Sequence, residues 1–345
     1  MAFCYAQFNS IQLLRALAAW LVVFHHYIQV VHGNNLSGPL SKALHMYGAI
    51  GVDLFFIISG FVIYLSVAGK NVTPGVFAVH RLARVVPAYW IFTFISAVIL
   101  LNAPTFLPLT AFDPTFLLQS LLFIPAQNPS GIGPYPLLTV GWTLNYEMAF
   151  YSVFLLSFYF PRKLQLLMVA IGLFLLCKFI SRLGGDLAFY GNKIIYEFLF
   201  GILIAIAYKK GWVQKTPSLV AVAVILVAIG MIIFYGQVSH NPLKSGLPCA
   251  MILFAAVSLE RFSPGSGLIS RLGDWSYSTY LCHVLVMCSM MKIQELLNFH
   301  DAVTFALTIA GILVVSYSSF RWIEKPISTL VKKNSKSYTA TLPTA

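Results

Sequence analysis

The chain has 345 residues, of which 59% are hydrophobic and only 9% are charged, and its formal net charge is +12. So apolar a composition excludes an ordinary soluble globular domain and predicts a polytopic membrane protein. No sequence period suggests repeats, and no shift in composition marks a soluble domain. We therefore predict one all-α transmembrane bundle over residues 1–331, followed by a disordered cytoplasmic tail, rich in Ser, Thr and Lys, over residues 332–345.

Ten windows are apolar and come near the roughly 20 residues that a membrane-spanning helix needs. They lie near residues 11–31, 48–68, 85–102, 141–160, 164–181, 190–208, 217–235, 246–260, 273–292 and 302–320. The long connection 102–141 contains an apolar run, 115–124, that is too short to span. We expect a re-entrant or interfacial piece there, which serves as a lid, as an acceptor-side wall or as a purely structural cap.

Basic residues set the predicted orientation, because cytoplasmic loops of membrane proteins collect Lys and Arg. With ten spans and the N-terminus inside, fifteen basic residues fall on the cytoplasmic side and six on the external side, while Arg15 lies within the first span. We therefore predict that both termini are cytoplasmic. The positive net charge is then mainly a signal of topology, and nucleic-acid binding is not expected. The first window lacks a small-residue cleavage site after it, so we expect it to remain as a helix.

Two ionisable residues, Arg15 and His26, lie inside the first window. Eleven positions amount to three helical turns and a rise of roughly 16 Å, so both side chains project from one stripe at different depths. Ionisable groups at bilayer depth usually mark a working site. The alternative is an arginine that snorkels near the helix end and a histidine that packs in the bundle.

Three carboxylates fall at similar depths in the outer half of their predicted helices, where His26 also falls. They are Asp53, Glu147 and Glu197, and together with the histidine they could meet in one polar cavity. Each acid alone can also be explained by helix pairing. Glu197 is the strongest such case, because Lys193 lies one turn away.

Arg81 and Arg84 lie at the cytoplasmic edge of the third window. Their i, i+3 spacing places two guanidinium groups on one helix face, a geometry suited to phosphate groups. Ordinary positive-inside anchoring beside an aromatic belt would give the same pattern. The eight histidines and ten acids nowhere form a metal-ligand spacing, so no metal is expected. The five cysteines form no disulfide framework.

Six sequence elements occur together in one order. They are Arg15 with His26, GVDLFFIISGF at 51–61, RLARVVP at 81–87, WTLNYE at 142–147, YSTYLCH at 277–283 and RWIEKP at 321–326. With these elements the chain resembles the acyltransferase family 3 of integral membrane acyltransferases, from the first helix to the last. Members of that family move acyl groups, most often acetyl from acetyl-CoA, onto sugars of cell-envelope or exported glycans. At position 143 this chain has threonine where the family often has serine, so the hydroxyl group is retained.

The resemblance also implies roles for these residues. It makes His26 the catalytic base and leaves His25, which is turned about 100° away on the helix, as a packing or supporting residue. The implied site residues are the catalytic His26, Glu147, Asp53 and Arg15, the acetyl-CoA-binding Arg81, Arg84 and Arg15, and the substrate-binding Trp142, Thr143, Tyr146 and His283.

These roles give a mechanistic hypothesis for an enzyme of the bacterial cytoplasmic (inner) membrane. Acetyl-CoA enters from the cytoplasm, and a hydroxyl of a glycan or lipid-linked glycan approaches from the outer side. His26 takes the hydroxyl proton, while Glu147 or Asp53 orients the imidazole or stabilises the imidazolium. Direct transfer and an acyl-histidine intermediate both stay open.

Two other functions fit the same residues. A proton-coupled secondary transporter also uses buried histidine, arginine and carboxylates, although the sequence shows neither paired interrupted helices nor internal symmetry. An acyltransferase for a non-glycan acceptor, such as a lipid, peptide, antibiotic or small alcohol, would use the same chemistry. The oligomeric state cannot be inferred from the sequence.

Overall fold

The computed structural model describes residues 8–33, 38–263, 265 and 267–340, and these residues form helices and turns without strands. The helices are α1 (Asn9–His32), α2 (Pro39–Tyr47), α3 (Ile50–Val67), α4 (Pro74–Asn102), α5 (Pro114–Leu121), α6 (Trp142–Leu156), α7 (Gln165–Lys178), α8 (Glu197–Lys209), α9 (Ser218–Tyr235), α10 (Leu247–Ser258), α11 (Leu268–Leu297), α12 (Asp301–Ser319) and α13 (Lys325–Ala340). Short 3-10 and π-helical turns join several of them.

The prediction of an all-α membrane bundle is confirmed, and each of the ten predicted windows contains one of these helices. Within the described part of the chain, seven helical segments are long and apolar enough to cross a membrane. An eighth is added if the bent pair Gly185–Gly191 and Lys193–Lys209 forms one span. The helices α6 and α10 are shorter, with 15 and 12 residues. The exact number of spans and the orientation of the termini stay predictions.

Close helix contacts at glycines bring the central helices together. A Cβ atom on Gly51 of α3 would lie 2.2 Å from the carbonyl oxygen of Ala18 on α1. A Cβ atom on Gly60 would lie 2.1 Å from the carbonyl oxygen of Phe198 on α8. Small residues permit such approaches between membrane helices. α1 also packs along α11, so α1, α3, α8 and α11 form the centre of the bundle.

The connection between α4 and α6 folds back against α4. The Tyr89 hydroxyl donates to the Ser120 carbonyl oxygen at 3.0 Å, and the Trp90 indole donates to the Leu121 carbonyl oxygen at 2.9 Å. Both aromatic residues lie about three turns before the end of α4 at Asn102. The segment therefore packs along α4, and its re-entrant or interfacial character stays a prediction.

The C-terminal region ends in α13, which packs against α4. This helix extends over residues 332–340 of the segment predicted as a disordered tail, and residues 341–345 lie outside the described part of the chain. The four described cysteines are free and buried, as expected of small packing residues: Cys177, Cys249, Cys282 and Cys288. Cys4 lies outside the described residues.

Candidate active site

The predicted base, His26 on α1, forms a pair with His283 on α11. The Nε2 atom of His283 lies 3.1 Å from the Nδ1 atom of His26, and their ring centroids are 5.0 Å apart. The His283 side chain belongs to a residue with 0% exposure, whereas His26 is only partly buried. The close packing of α1 on α11 therefore places the two imidazoles in direct contact.

Backbone carbonyls determine which nitrogen of each imidazole carries the proton. The Nδ1 atom of His283 lies 2.7 Å from the Tyr280 carbonyl oxygen and 3.2 Å from that of Thr279, so this nitrogen must donate. Its Nε2 atom then has a lone pair and accepts from Nδ1 of His26. The Val22 carbonyl oxygen, 3.0 Å from the same His26 nitrogen, requires the same donor. The neutral His26 ring is thereby left with its lone pair on Nε2, the form that a general base needs.

The arginines predicted to bind the donor line one cavity. Its empty space, including the part open to solvent, is about 920 Å³. The polar residues of its wall are Arg15, Ser59, Arg81, Arg84, Thr143, Glu147, Tyr151, Ser276, Tyr277 and Tyr280, and apolar residues of α3 form much of the rest. Such a mixed wall suits a long ligand that has both apolar and anionic parts.

Buried carboxylates and amides hold two of these arginines in place. Nη1 of Arg84 donates to Glu324 at 2.6 Å, and Glu324 also accepts from the Ser278 hydroxyl at 2.5 Å. Nη1 of Arg15 lies 3.4 Å from the Gln12 side-chain oxygen, and the Gln12 amide donates to Asp274 at 2.8 Å. Arg84 lines the cavity, and its guanidinium carbon lies 5.4 Å from the ring centroid of Tyr277, which also lines it.

Glu147 belongs to the cavity and not to the histidine pair. Its carboxylate accepts from the Ser59 hydroxyl at 2.9 Å and from the Tyr151 hydroxyl at 2.5 Å. The structure places it with the arginines, outside hydrogen-bonding distance of His26. The expectation that Glu147 orients the His26 ring therefore requires correction, and the ring's partner is His283 instead.

Asp53 forms a separate pair with a histidine that the sequence did not indicate. The Nδ1 atom of His240 donates to the Asp53 carboxylate at 2.8 Å, and Asp53 has 0% exposure. The expectation that Asp53 orients His26 also requires correction, because the two side chains make no contact. His240 lies between α9 and α10 with a positive φ of 50°, an uncommon conformation for a residue with a side chain.

Glu197 lies beside Asp53 in the interior. It has 0% exposure, and neither of its carboxylate oxygens has a hydrogen-bond partner among the described residues. The explanation through Lys193 does not hold, since that residue is exposed and forms no ion pair with it. Depth counting placed these two acids near each other correctly, whereas it misplaced them relative to His26.

The remaining predicted substrate-binding residues lie around Tyr280. The Thr143 hydroxyl donates to the Tyr280 oxygen at 3.0 Å, and the Tyr280 hydroxyl donates to the Val140 carbonyl at 3.0 Å. Tyr280 lines the cavity, and its ring centroid lies 5.8 Å from that of His283. His26 is absent from the cavity wall, so Tyr280 is a wall residue that lies next to the histidine pair.

The two other aromatic residues of this region are placed differently from each other. The Tyr146 hydroxyl donates to the Phe189 carbonyl oxygen, which engages its polar end in a structural contact. The ring of Trp142 lies 5.8 Å from the ring of His240 and is partly exposed. Trp142 therefore accompanies the His240–Asp53 pair rather than the arginines.

Sequence reasoning missed His240, Tyr280 and Glu324 as site residues. Tyr280 and Glu324 lie within two of the six elements, YSTYLCH and RWIEKP, so their presence in those elements was a usable signal. His240 lies outside every predicted window and every element, and the sequence contains no signal that would have found it.

A helical membrane bundle with arginines in a cavity wall and a base-competent histidine pair nearby is compatible with an integral membrane enzyme that transfers acyl groups. The comparisons agree: the model of the acyltransferase domain, Acyl_transf_3, matches residues 8–321. The chain belongs to the acyltransferase family 3, and it is an O-acyltransferase. The resemblance inferred from the six elements is thereby confirmed.

Three relatives show how far the similarity extends. The chain is 32% identical over 289 residues to the exopolysaccharide production protein ExoZ of Rhizobium meliloti, which covers 81% of this chain and 89% of ExoZ. It is 27% identical over 273 residues to the acyltransferase MdmB of Streptomyces mycarofaciens, 70% of this chain and 68% of MdmB. It is 24% identical over 324 residues to nodulation protein 10 of Rhizobium leguminosarum bv. viciae, 83% and 84% of the two chains. No solved structure matches the chain.

Proposed function

We propose that the protein transfers an acetyl group from acetyl-CoA to a hydroxyl of a cell-envelope or exported glycan. The donor binds from the cytoplasm, and the glycan or lipid-linked glycan approaches from the outer side of the bacterial cytoplasmic membrane. The observation that carries this proposal is the His26–His283 pair, because its hydrogen bonds leave the Nε2 lone pair of His26 free to act as a base.

In this reaction the acetyl group passes from CoA to the acceptor, and the proton of the acceptor hydroxyl passes through His26 to the CoA sulfur. Nε2 of His26 takes the proton of the acceptor hydroxyl while the hydroxyl oxygen attacks the thioester carbonyl carbon. The C–S bond then breaks, and the departing thiolate takes the proton from the imidazolium, so CoA leaves as a thiol. His283 accepts a hydrogen bond from the cationic ring and stabilises it. Such general-base catalysis contributes about 10²–10⁴-fold in rate.

The cavity supports the assignment of a CoA thioester as donor. Arg15, Arg81 and Arg84 line it, and guanidinium groups bind phosphate oxygens in paired hydrogen bonds. The apolar part of the wall matches an extended pantetheine arm. Movement of Tyr280 would connect the thioester in this cavity to His26.

Two observations support a glycan acceptor: the name of the relative ExoZ, and the aromatic surface that Trp142 forms beside His240. ExoZ is named as an exopolysaccharide production protein, which supports a glycan acceptor. The partly exposed Trp142 ring beside the anchored His240 offers an aromatic surface with a polar group, as sugar-binding sites do.

The test uses purified protein in lipid nanodiscs with radiolabelled acetyl-CoA and glycan extracted from cells that lack the protein. We expect acetyl-CoA-dependent label in the glycan, and its abolition in His26→Ala. The matched control is His25→Phe, since the polar contact of His25 with described residues outside α1 is with the Leu44 carbonyl, beside the stacked ring of His45. A His26→Ala protein with near wild-type transfer would disprove the base assignment. Intact acetyl-CoA and unlabelled glycan with the wild-type protein would disprove the proposed reaction.

A further inference from the structure

A second concave surface lies outside the cavity, between α11 and the junction of α12 with α13. Its empty space, including the open part, is about 1060 Å³. The residues that matter for its chemistry are Arg271, Asp274, Trp275, Tyr317, Arg321 and Lys325. We refer to this surface as the basic groove.

The groove presents more positive than negative charge. Arg271, Arg321 and Lys325 are exposed, and none of them takes part in the ion pairs found among the described residues. Its one carboxylate, Asp274, already accepts a hydrogen bond from the Gln12 amide at 2.8 Å. Three cations on one concave surface favour a ligand with several negative charges.

An aromatic pair stands beside these cations. The rings of Trp275 and Tyr317 have centroids 5.2 Å apart at an interplanar angle of 66°, and Tyr317 is 47% exposed. Aromatic rings and guanidinium planes stack on nucleobases regardless of base identity. A polyanion that also carries a planar base is a nucleotide phosphate, whereas a phospholipid headgroup lacks the base.

The groove lies at the same end of the molecule as the arginines of the cavity. Lys325 follows Glu324, the carboxylate that binds Arg84 in the cavity wall. Asp274 is connected through Gln12 to Arg15, which also lines the cavity. The walls of the groove and of the cavity are therefore connected through Glu324 and through Gln12.

We propose that the basic groove binds the 3′-phosphoadenosine part of coenzyme A. This inference rests on the proposed donor. Arg271, Arg321 and Lys325 contact its 3′-phosphate, and Trp275 with Tyr317 stacks on the adenine. The diphosphate extends from the groove to the arginines of the cavity, and the pantetheine arm continues into the cavity, where the thioester faces Tyr280.

The experiment compares three donors, acetyl-CoA, acetyl-dephospho-CoA and S-acetylpantetheine, in nanodiscs without anionic lipid. For the double variant Arg271→Ala with Arg321→Ala, we expect the KM for acetyl-CoA to rise about 10- to 100-fold. The KM for S-acetylpantetheine should stay within about twofold of wild type, because that donor has no nucleotide. Trp275→Leu should raise the KM for acetyl-CoA and for acetyl-dephospho-CoA by similar factors.

The matched control is the double variant Lys163→Ala with Lys210→Ala, which removes two exposed positive charges outside the groove and should leave every KM unchanged. Calorimetric titration of CoA into each protein gives a readout independent of transfer, so failure of the proposed reaction would not prevent the test. An unchanged CoA affinity in the groove variant would overturn the proposal. The titration is repeated in nanodiscs that contain anionic lipid. An effect of the groove variant confined to those nanodiscs would also overturn the proposal, because the groove would then bind lipid headgroups.

Discussion

Replacement of His283 by leucine tests whether the histidine pair sets the reactivity of His26. The change removes the Nε2 acceptor that lies 3.1 Å from Nδ1 of His26, while the Val22 carbonyl at 3.0 Å keeps the Nδ1 proton in place. The lost hydrogen bond involves a ring that becomes cationic during transfer, and such bonds contribute about 1.5–3 kcal/mol. Since 1.36 kcal/mol is a factor of ten in rate, we expect kcat to fall about 10- to 150-fold.

The assay is steady-state acetyl transfer with acetyl-CoA varied at saturating acceptor. The KM for acetyl-CoA should change little, because His283 lies outside the cavity wall. His283→Gln, whose amide oxygen can accept from His26, should retain more activity than His283→Leu. Met287→Leu, one turn further along α11 and with 0% exposure, is the control for buried packing. A His283→Leu protein with kcat within about threefold of the Met287→Leu control would refute the reasoning.

Three further predictions concern other parts of the molecule. Glu324→Gln should lower the free energy of unfolding by about 1–3 kcal/mol, measured from melting curves in detergent. The double variant Glu324→Gln with Arg84→Gln should lose less than the sum of the two single-variant losses, and strict additivity would contradict the pairing. Asp53→Asn should raise the KM for the acceptor about 5- to 20-fold, because it weakens the hydrogen bond between the Asp53 carboxylate and His240. An equal rise in the KM for acetyl-CoA would argue against a role of this pair in acceptor binding. Gly60→Ala should lower the free energy of unfolding by about 1–3 kcal/mol, because the added Cβ meets an α8 carbonyl at 2.1 Å. The control Gly230→Ala, with nothing within 4 Å of the added Cβ, should be neutral. Indistinguishable melting temperatures of the two variants would refute this contact.

The sequence was sufficient for the class of fold and for the arginine part of the site. Apolar windows identify membrane helices because the bilayer fixes their length, and each predicted window does contain a helix. The spacing of Arg81 and Arg84 placed both on one face, and both line the cavity with Arg15. Both successes depend on features within a single segment, namely the length of an apolar run and the spacing of two residues along one helix.

The arrangement of the acids could not be predicted, because depth along a helix does not fix rotation or neighbours. Glu147 was counted from the start of its window, yet the segment before α6 folds back into the bundle, and the carboxylate faces Arg15's cavity instead of His26. The partner of Asp53 lies 187 positions away in a loop. Contacts of such separation depend on tertiary packing, on which local sequence patterns carry no information.

The position of the Tyr280 ring affects how readily water can hydrolyse the donor thioester when no acceptor is bound. Its hydroxyl donates to the Val140 carbonyl and accepts from the Thr143 hydroxyl, so two hydrogen bonds hold this part of the cavity wall in place. If His26 performs the chemistry, a water molecule that this base activates does not reach a thioester in the cavity while the ring stays in this position. Transfer and hydrolysis would then both require a movement of the ring that breaks at least one of those two hydrogen bonds.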